Sequence, residues 1–347
     1  TPKMSFATGP MEVYDARLDD QDWVLPSFDD ADWQKVRIKK NQTAYGQLTP
    51  RTIPHLTQKE ILPKKKLGVY KLADDERLIS FRVKSADSTR EAFGTNKRAF
   101  AYTYIYSPVK QDVKVGMWWG EYWLNGDGPL DAENVKQGKP NRTDRTLSLN
   151  KGWNFFFAKY GIVWASWEFY MAVPKDAGLH FSPEKKKNDP VYFMTAGPFT
   201  ADEEEQVLDL ELPFEKPSDL PDNLSQSWDP QSETSNPGNP AYEVAWSYFE
   251  EELPSEKHQV SNIKINEEPT ALVFDIGGKE LGRFFIEVDA PKGTVIDVAF
   301  SEDLDVNKPY IMKRAGLYTA VRFITDGKTQ RYETVKPYGV RYMQVNV

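Results

Sequence analysis

The stretch that decides the fold reads Phe284-Phe-Ile-Glu-Val-Asp-Ala-Pro-Lys-Gly-Thr-Val-Ile-Asp-Val-Ala-Phe300, with apolar side chains at every second position in both halves. Alternate side chains of an extended chain share one face, so each half predicts a strand with a buried face. Between the halves, Pro291 fixes φ at the first corner of a turn and Gly293 suits its exit. We therefore predict a β-hairpin.

The same alternation continues on both sides of this stretch. Asp326-Gly327 lies between Val321-Arg-Phe-Ile-Thr325 and Thr329-Gln-Arg-Tyr-Glu333, which predicts a second hairpin. Upstream, Tyr242-Glu-Val-Ala-Trp-Ser-Tyr-Phe249 is predicted to add a strand. Residues 199–347 are therefore expected to form a β-sandwich.

Composition limits the classes of function. A chain of 347 residues is long enough for two or three domains, and 10 Trp with 13% aromatic residues favour β-rich or carbohydrate-binding domains. The net charge of −8 argues against a nucleic-acid partner. With no Cys there is neither a disulfide framework nor a thiolate site. We see no apolar run long enough to span a membrane.

Residues 66–198 form a second block of alternating segments. Asn125-Gly126 predicts a tight turn, because both residues accept positive φ. A later turn is predicted at Asn150-Lys-Gly-Trp-Asn154. The order of strands and turns resembles a galactose-binding-like jelly roll.

Tryptophans of this block offer two interpretations. A platform for stacking on sugar rings would use Trp118, Trp119 and Trp123, with Trp153 and Trp164 nearby. The alternative is core packing, because large aromatic side chains are usually buried.

The loop after Asn125 concentrates oxygen ligands, with Asp127 and Asp131 as candidates for Ca²⁺. It lacks the regular acidic spacing of an EF-hand loop. We interpret it as a solvated loop and expect no cofactor.

Residues 1–65 are predicted to be a β segment that packs on the sandwiches. In Phe28-Asp-Asp-Ala-Asp-Trp33, Asp29 and Asp30 predict an Asx-type turn with Trp33 anchored in a core. A metal or sugar site is the alternative. Six prolines within residues 213–240 predict an extended connector or wrapping loop. The predicted fold is all-β, with a jelly roll and a second sandwich joined by Pro-rich connectors.

Motifs for catalysis are not evident. The three His occur in no serine-hydrolase or zinc-protease context. Glu302, beside Asp303, is the most suggestive carboxyl for an acid of raised pKa, and a structural hydrogen-bonding role is its alternative.

A family resemblance rests on several landmarks. Val273-Phe-Asp-Ile-Gly-Gly-Lys-Glu-Leu-Gly-Arg-Phe284, Ala290-Pro-Lys-Gly-Thr-Val-Ile-Asp-Val-Ala-Phe-Ser-Glu-Asp-Leu304 and Tyr338-Gly-Val-Arg-Tyr-Met-Gln-Val345 are similar to the β-sandwich of bacterial α-L-rhamnosidases, glycoside hydrolase family 78. The Phe28–Trp33 stretch and Thr49-Pro-Arg-Thr-Ile-Pro54 resemble two further signatures. The motif residues, for which we expect structural roles, are Asp29, Asp30, Trp33, Arg51, Asp275, Glu302 and Arg341. The family commonly places a jelly roll before the Phe-Asp-Asp element, whereas here it follows.

The resemblance implies a parent enzyme that hydrolyses terminal α-L-rhamnose with inversion, using carboxylates on an (α/α)6 barrel that follows the sandwich. No family catalytic residue maps onto this chain, so we expect it to be inactive alone. Its expected partners are that carboxy-terminal barrel and a rhamnosylated glycan. The alternatives are a stand-alone carbohydrate-binding module and the sugar-binding region of a β-galactosidase-like glycosidase. Polysaccharide breakdown favours a periplasmic or secreted location over the cytoplasm.

Overall fold

The computed structural model describes residues 3–5, 9–19, 21–36, 49–50, 52, 59–82, 98–117, 120–131, 143–161, 168–199, 228–232, 243–244, 246–256, 259–265, 269–304 and 319–347. In chain order the strands are β1 (Lys3–Ser5), β2 (Gly9–Pro10), β3 (Val13–Asp15), β4 (Lys65–Leu72), β5 (Glu76–Arg82), β6 (Arg98–Ser107), β7 (Gln111–Met117), β8 (Glu121–Leu124), β9 (Thr143–Leu149), β10 (Gly152–Gly161), β11 (Glu168–Pro174), β12 (His180–Ser182), β13 (Val191–Phe199), β14 (Asp229–Ser232), β15 (Phe249–Leu253), β16 (Thr270–Gly282), β17 (Phe285–Val288), β18 (Val295–Ser301), β19 (Ala320–Ile324), β20 (Gln330–Glu333) and β21 (Tyr338–Asn346). Short 3-10 turns lie at Gln21–Val24 and Lys175–Ala177. The predicted all-β class is confirmed. No helix within the described ranges has the length and apolar character to cross a membrane.

Two sheets form the first sandwich. One has the strand order β14-β13-β6-β10-β8, with β12 also beside β6, and the other has the order β5-β11-β7-β9. Consecutive strands β6 and β7, and likewise β9 and β10, lie in different sheets, so the chain crosses from sheet to sheet at those turns. Apolar side chains from both sheets fill the space between them; the bulkiest are Tyr122, Phe156, Phe169 and Phe193.

Asn154 joins the two turns that the sequence predicted in this block. Its buried Oδ1 accepts the Asn125 Nδ2–H at 2.8 Å and the Asn150 N–H at 2.9 Å. Its Nδ2 donates to the carbonyls of Asn150 and Ile105. Asn125 has φ of 51° and Gly126 of 99°, as a tight turn requires.

The second sandwich is built on a seven-stranded sheet with the order β15-β4-β16-β21-β18-β19-β3, and β17 and β20 form a separate two-stranded sheet. Phe284, just before β17, packs on Phe300 of the large sheet with ring centroids 5.4 Å apart. Tyr332 of β20 packs on Phe323 at 5.2 Å. Burial of these rings holds the small sheet against the large one.

The two predicted hairpins of this sandwich are wrong in their pairing. β17 pairs with β20, and β18 pairs with β19, so each predicted turn connects two sheets. The turns themselves form, since Thr294 N–H donates to Pro291 C=O at 3.2 Å and Gly293 has φ of 90°. Turn chemistry sets where the chain reverses, whereas burial of distant apolar faces selects the strand that each half pairs with.

The amino-terminal segment is attached to this sandwich. β3 pairs in parallel with β19 at the edge of the large sheet. The Glu12 carboxylate accepts the N–H of Val335 at 2.7 Å, the N–H of Lys336 at 2.8 Å and the hydroxyl of Tyr338 at 2.9 Å. One side chain therefore fixes the start of the described chain to the connection before β21.

The two sandwiches are in direct contact. The outward side chains Tyr170 and Ala172 of β11 belong to the core of the second sandwich. Tyr170 meets Trp246 with ring centroids 6.0 Å apart. Glu243, Val244 and Trp246 are helical, so the predicted strand from Tyr242 is wrong at its start. The helical turn directs Glu243 and Trp246 to different partners, which an alternating pattern cannot reveal.

The strand pairing disagrees with the sequence prediction at two places, the start of the 66–198 block and the 213–240 connector. The domain limits themselves stay predictions. β4, which the sequence placed in the 66–198 block, pairs with β16 of the seven-stranded sheet. β14 lies within the predicted 213–240 connector and pairs with β13. It is the last strand of its sheet, where a proline such as Pro230 is tolerated. Apart from Trp228, which packs on Tyr102, the remaining connector residues lie outside the described ranges.

Candidate functional site

The outer face of the six-stranded sheet carries a row of aromatic side chains. They come from alternate positions of β6 and β10, and are Phe100, Tyr102, Tyr104, Tyr106, Trp153, Phe155 and Phe157. The strand register sets Tyr104 opposite Phe155 and Tyr106 opposite Trp153. Directly opposite residues of antiparallel strands have side chains in contact, so the register alone brings these rings together.

Burial divides this face into two parts. Phe100 and Phe157 are each 1% exposed and lie in a closed apolar cluster with Trp123. Towards the turns after β6 and before β10, Tyr104, Tyr106, Trp153 and Phe155 are partly exposed, as is His180 on β12. We call these five residues the aromatic strip; they form the open end of an otherwise covered face.

The rings of the strip span three neighbouring strands. Tyr106 and Trp153 have centroids 5.3 Å apart, and Tyr104 and Phe155 are 5.2 Å apart. His180, paired with Tyr106 in the register, lies 6.0 Å from its ring. The result is two neighbouring rows of rings, one of His180, Tyr106 and Trp153 and one of Tyr104 and Phe155.

Two lysines lie over this surface. Lys185 Nζ is 4.3 Å from the Tyr104 ring centroid, and Lys187 Nζ is 4.0 Å from that of Tyr106. Both lysines are exposed. An ammonium over a ring face is attracted by the ring quadrupole, so the aromatic strip has a positively charged cover.

The turn that carries the lysines is organised by Ser182. Its Oγ accepts the N–H groups of Glu184 and Lys186 at 3.0 Å each and donates to Asp189 Oδ2 at 2.6 Å. Lys185 has φ of 61°, a left-handed conformation uncommon for a residue with a Cβ. The chain therefore holds the backbone of these lysines in a defined conformation.

The structure does not bring together the tryptophans that the sequence suggested as a sugar-stacking platform. Trp118 and Trp119 lie outside the described residues, as does Trp164. Trp123 is 7% exposed and packs on Phe157, which is the core-packing alternative. Gly128 packs closely against Trp123, because a Cβ at that position would lie only 2.6 Å from Trp123 Cδ1. Trp153 is the nominated ring that belongs to the strip.

The loop after β8 places Asp127 and Asp131 as exposed side chains. The backbone of Asp127 closes the turn by exchanging hydrogen bonds with Leu124. Within the described ranges, no three His, Cys, Asp or Glu side chains are grouped so that they could hold a metal ion.

The Phe28–Trp33 stretch forms the predicted local turn. Asp29 Oδ1 accepts the Ala31 N–H at 3.0 Å, and Asp30 C=O accepts the Trp33 N–H at 3.0 Å. Trp33 is 57% exposed and touches Phe28 edge-on, so the expectation that it anchors a core is wrong. Local sequence forms the turn, but only a packed neighbour could bury the ring. Arg51 lies outside the described residues.

The other motif residues cluster near the bulge of β16. Arg341 Nε donates to Asp275 Oδ1 at 3.4 Å, and this hydrogen bond raises the pKa of Arg341. The same Asp275 oxygen accepts the Gly277 N–H at 2.6 Å. Glu302 forms an ion pair with Lys279 at 3.0 Å, with both side chains about half exposed. These contacts are those of structural side chains.

Sequence reasoning missed a buried ion cluster in the second sandwich. Asp297 is 7% exposed, and its two oxygens accept Nε–H and Nη2–H of Arg322 at 2.7 Å each. Glu243 accepts a further Nη2–H at 2.5 Å. The signal was present, since Asp297 and Arg322 interrupt two otherwise apolar strands.

Comparison with known proteins relates the second sandwich to one family. Residues 265–347 match the family model of the bacterial α-L-rhamnosidase concanavalin-like domain. No curated protein sequence matches the chain.

Among solved structures, the chain is similar to the family 78 rhamnosidase of Bacillus sp. GL1, with a TM-score of 0.72 and 21% identity; the alignment covers 100% of this chain and 39% of that one. The α-L-rhamnosidase of Dictyoglumus thermophilum aligns at 14% identity over 80% of this chain and 33% of its own, with a TM-score of 0.24. That of Aspergillus terreus aligns at 13% identity over 80% and 34%, also with a TM-score of 0.24. The chain thus spans 39% of the Bacillus enzyme whose fold it shares. Residues 265–347 are thus similar to the bacterial α-L-rhamnosidase concanavalin-like domain, and the whole chain has the fold of part of the family 78 rhamnosidase of Bacillus sp. GL1.

Proposed function

We propose that this chain is the non-catalytic β-sandwich portion of an α-L-rhamnosidase-type glycoside hydrolase, which removes terminal α-L-rhamnose from glycans or glycosides. The observation that carries the proposal is the family match of residues 265–347 within a chain that shares its whole fold with part of one such enzyme. Its role is to support a catalytic domain of the (α/α)6 type.

The environment of the carboxyl groups supports a non-catalytic role. Inverting hydrolysis needs two carboxyl groups about 6.5–9.5 Å apart with a water between them. Burial raises the pKa of Asp297 to about 6, a direction that suits an acid catalyst. However, Arg322 binds both of its oxygens, and the side chain is closed to substrate. Glu302 and Asp275 are each held by a cation.

A surface for the catalytic domain is supported by exposed apolar side chains within residues 18–36. They are Leu18 (83% exposed), Trp23 (54%), Val24 (64%), Leu25 (49%), Trp33 (57%) and Val36 (90%). Concentrated apolar exposure marks interaction surfaces. We propose that this apolar segment packs against the catalytic domain.

The first test is release of p-nitrophenol from p-nitrophenyl α-L-rhamnopyranoside. We expect release by the full polypeptide that the gene encodes and none by residues 1–347 alone. Turnover by the isolated chain would contradict the non-catalytic role. Failure of the full polypeptide to act would contradict the rhamnosidase assignment.

A second test examines the apolar segment. In the full polypeptide, the double substitution Trp23→Ser and Leu25→Ser should lower the melting temperature more than it does in residues 1–347 alone. Leu281→Ser is the matched control, because Leu281 is 71% exposed on β16, outside the segment. Equal effects in the two proteins would argue that the segment contacts no further domain.

Carbohydrate binding by the chain itself is a second candidate function. The aromatic strip favours it, because flat rings at a surface can stack on the apolar faces of sugars. Such binding is compatible with the first proposal and would also suit a stand-alone binding module.

A further inference from the structure

We propose that the aromatic strip binds an acidic oligosaccharide, one whose sugar units carry carboxylate groups. This rests on the proposed function only in taking the ligand to be a glycan. Elsewhere in the described chain, cations also lie over partly exposed rings, Arg331 on Phe285 and Arg341 on Tyr342, but each of these arginines is paired with a carboxylate.

The rings provide the stacking surface. Trp153, Tyr106 and His180 lie side by side on β10, β6 and β12, and neighbouring strands are about 4.8 Å apart. The row is therefore about 10 Å long, enough for a few sugar rings. Phe155 and Tyr104 form a second row beside it. Partial exposure of these side chains leaves ring area that a ligand can cover.

The lysines provide the selectivity for charge. Lys185 and Lys187 cover the rings of Tyr104 and Tyr106 when no ligand is present. A carboxylate that pairs with either ammonium would draw it aside and open the ring face for stacking. A neutral sugar must displace the same cation without forming an ion pair, so it should bind more weakly.

Neighbouring acids do not fully cancel this positive charge, because the turn carries three lysines at 185–187 and two acids, Glu184 and Asp189. Glu184 forms an ion pair with Lys186, and Asp189 accepts the Ser182 hydroxyl at 2.6 Å. Those contacts also set the path of the turn, so little backbone entropy remains to be lost on binding. The left-handed φ of Lys185 shows that the turn holds this lysine in a conformation it would otherwise rarely adopt.

The overall charge of the protein favours an acidic oligosaccharide over nucleic acid as the ligand. Rings and lysines also fit single-stranded nucleic acid, but a net charge of −8 would repel a strand that carries a phosphate at every unit and extends past the strip. A short oligosaccharide would contact only the strip and its two lysines.

The experiment is isothermal titration calorimetry of residues 1–347 with tetragalacturonate and with its fully methyl-esterified counterpart. We expect millimolar or tighter binding of the acid that weakens with added salt, and binding of the ester that is about tenfold weaker. The double substitution Lys185→Met and Lys187→Met should weaken acid binding by about tenfold and abolish the preference over the ester. Trp153→Ala should weaken both ligands.

Matched controls are Lys328→Met and Trp33→Ala, an exposed lysine and an exposed tryptophan elsewhere on the chain. They should leave binding unchanged. The proposal is overturned if wild-type protein gives no heat at millimolar acid, if the ester binds as tightly, if the strip variants bind like the controls, or if an oligodeoxythymidylate of similar length binds more tightly. None of these readouts depends on rhamnoside hydrolysis, so failure of the strip and failure of the rhamnosidase assignment are distinguishable.

Discussion

Arg322 and Asp297 lie directly opposite each other on neighbouring strands, and the guanidinium binds both carboxylate oxygens at 2.7 Å. Glu243, from the helical turn, binds the same guanidinium at 2.5 Å. The cluster therefore ties the helical turn to the seven-stranded sheet. It also places one cation between two carboxylates, so its net charge is negative when all three groups are ionised.

Removing the cation should be strongly destabilising. Arg322→Met leaves Asp297 buried without its partner, and breaking a buried ion pair in this way costs about 3–5 kcal/mol. Urea unfolding at neutral pH measures the change in the free energy of unfolding. Arg283→Met is the control, since its pair with Glu333 is exposed and should contribute at most about 1 kcal/mol. Equal losses for the two variants would show that the cluster has no special role.

The same cluster should make stability depend on pH. Burial, with Glu243 nearby, raises the pKa of Asp297 from 3.8 to about 6, although Arg322 opposes the shift. Between about pH 4 and pH 6, Asp297 is protonated in more of the folded molecules than of the unfolded ones. The stabilisation that comes from protonated Asp297 is therefore fully present below about pH 4 and is lost as pH rises through about 6. The loss should reach about 3 kcal/mol.

Asp297→Asn tests the pH dependence because the amide cannot titrate. The free energy of unfolding of wild-type protein minus that of the variant should fall between about pH 4 and pH 7. Urea unfolding at several pH values gives both terms. A difference that stays constant or rises over this range would contradict the assignment.

Glu12 should control attachment of the amino-terminal strand. Glu12→Gln replaces one accepting oxygen by a donor that faces the N–H groups of Val335 and Lys336. Hydrogen bonds to a charged acceptor contribute about 1.5–3 kcal/mol, and a loss of that size is expected. Hydrogen exchange of the β3–β19 amides should speed up selectively. Glu280→Gln, at an exposed position, should do neither.

Asn154→Ala should separate the two turns of the first sandwich. The substitution leaves the carbonyls of Ile105 and Asn150 without the Asn154 donor and removes an acceptor from Asn125. A buried polar group that loses its partner costs about 1–3 kcal/mol, so thermal unfolding should show a loss of that order. Asn188→Ala, at an exposed site, is the control. Unchanged stability of the Asn154 variant would mean that the turns hold without this amide.

Local sequence predicted the turns and strands well where backbone chemistry decides them. Asn125-Gly126 and Pro291–Gly293 turn because their residues accept the required φ values. The alternation from Phe284 to Phe300 marks two real strands. These features depend on neighbours along the chain.

Strand pairing and side-chain exposure could not be predicted from the local sequence. β17 pairs with β20 and not with the next strand, because the small sheet forms by covering apolar side chains of the large one. Trp33 was expected inside and is exposed, whereas Trp123 is buried. The alternation of apolar residues predicts which side chains share one face of a strand, but not which other part of the protein will cover that face.

The sequence by itself determined the all-β class, the main turns and the family resemblance of residues 265–347, since each depends on local alternation or on an ordered set of motifs. Only the tertiary structure decided which strands share a sheet and that Arg322 binds Asp297 and Glu243. It also decided that Tyr104 and Tyr106, beside Phe155, Trp153 and His180, each lie under a lysine. Those contacts join residues far apart in the chain, and their free energy comes from burial and charge pairing that exist only once the sheets have packed.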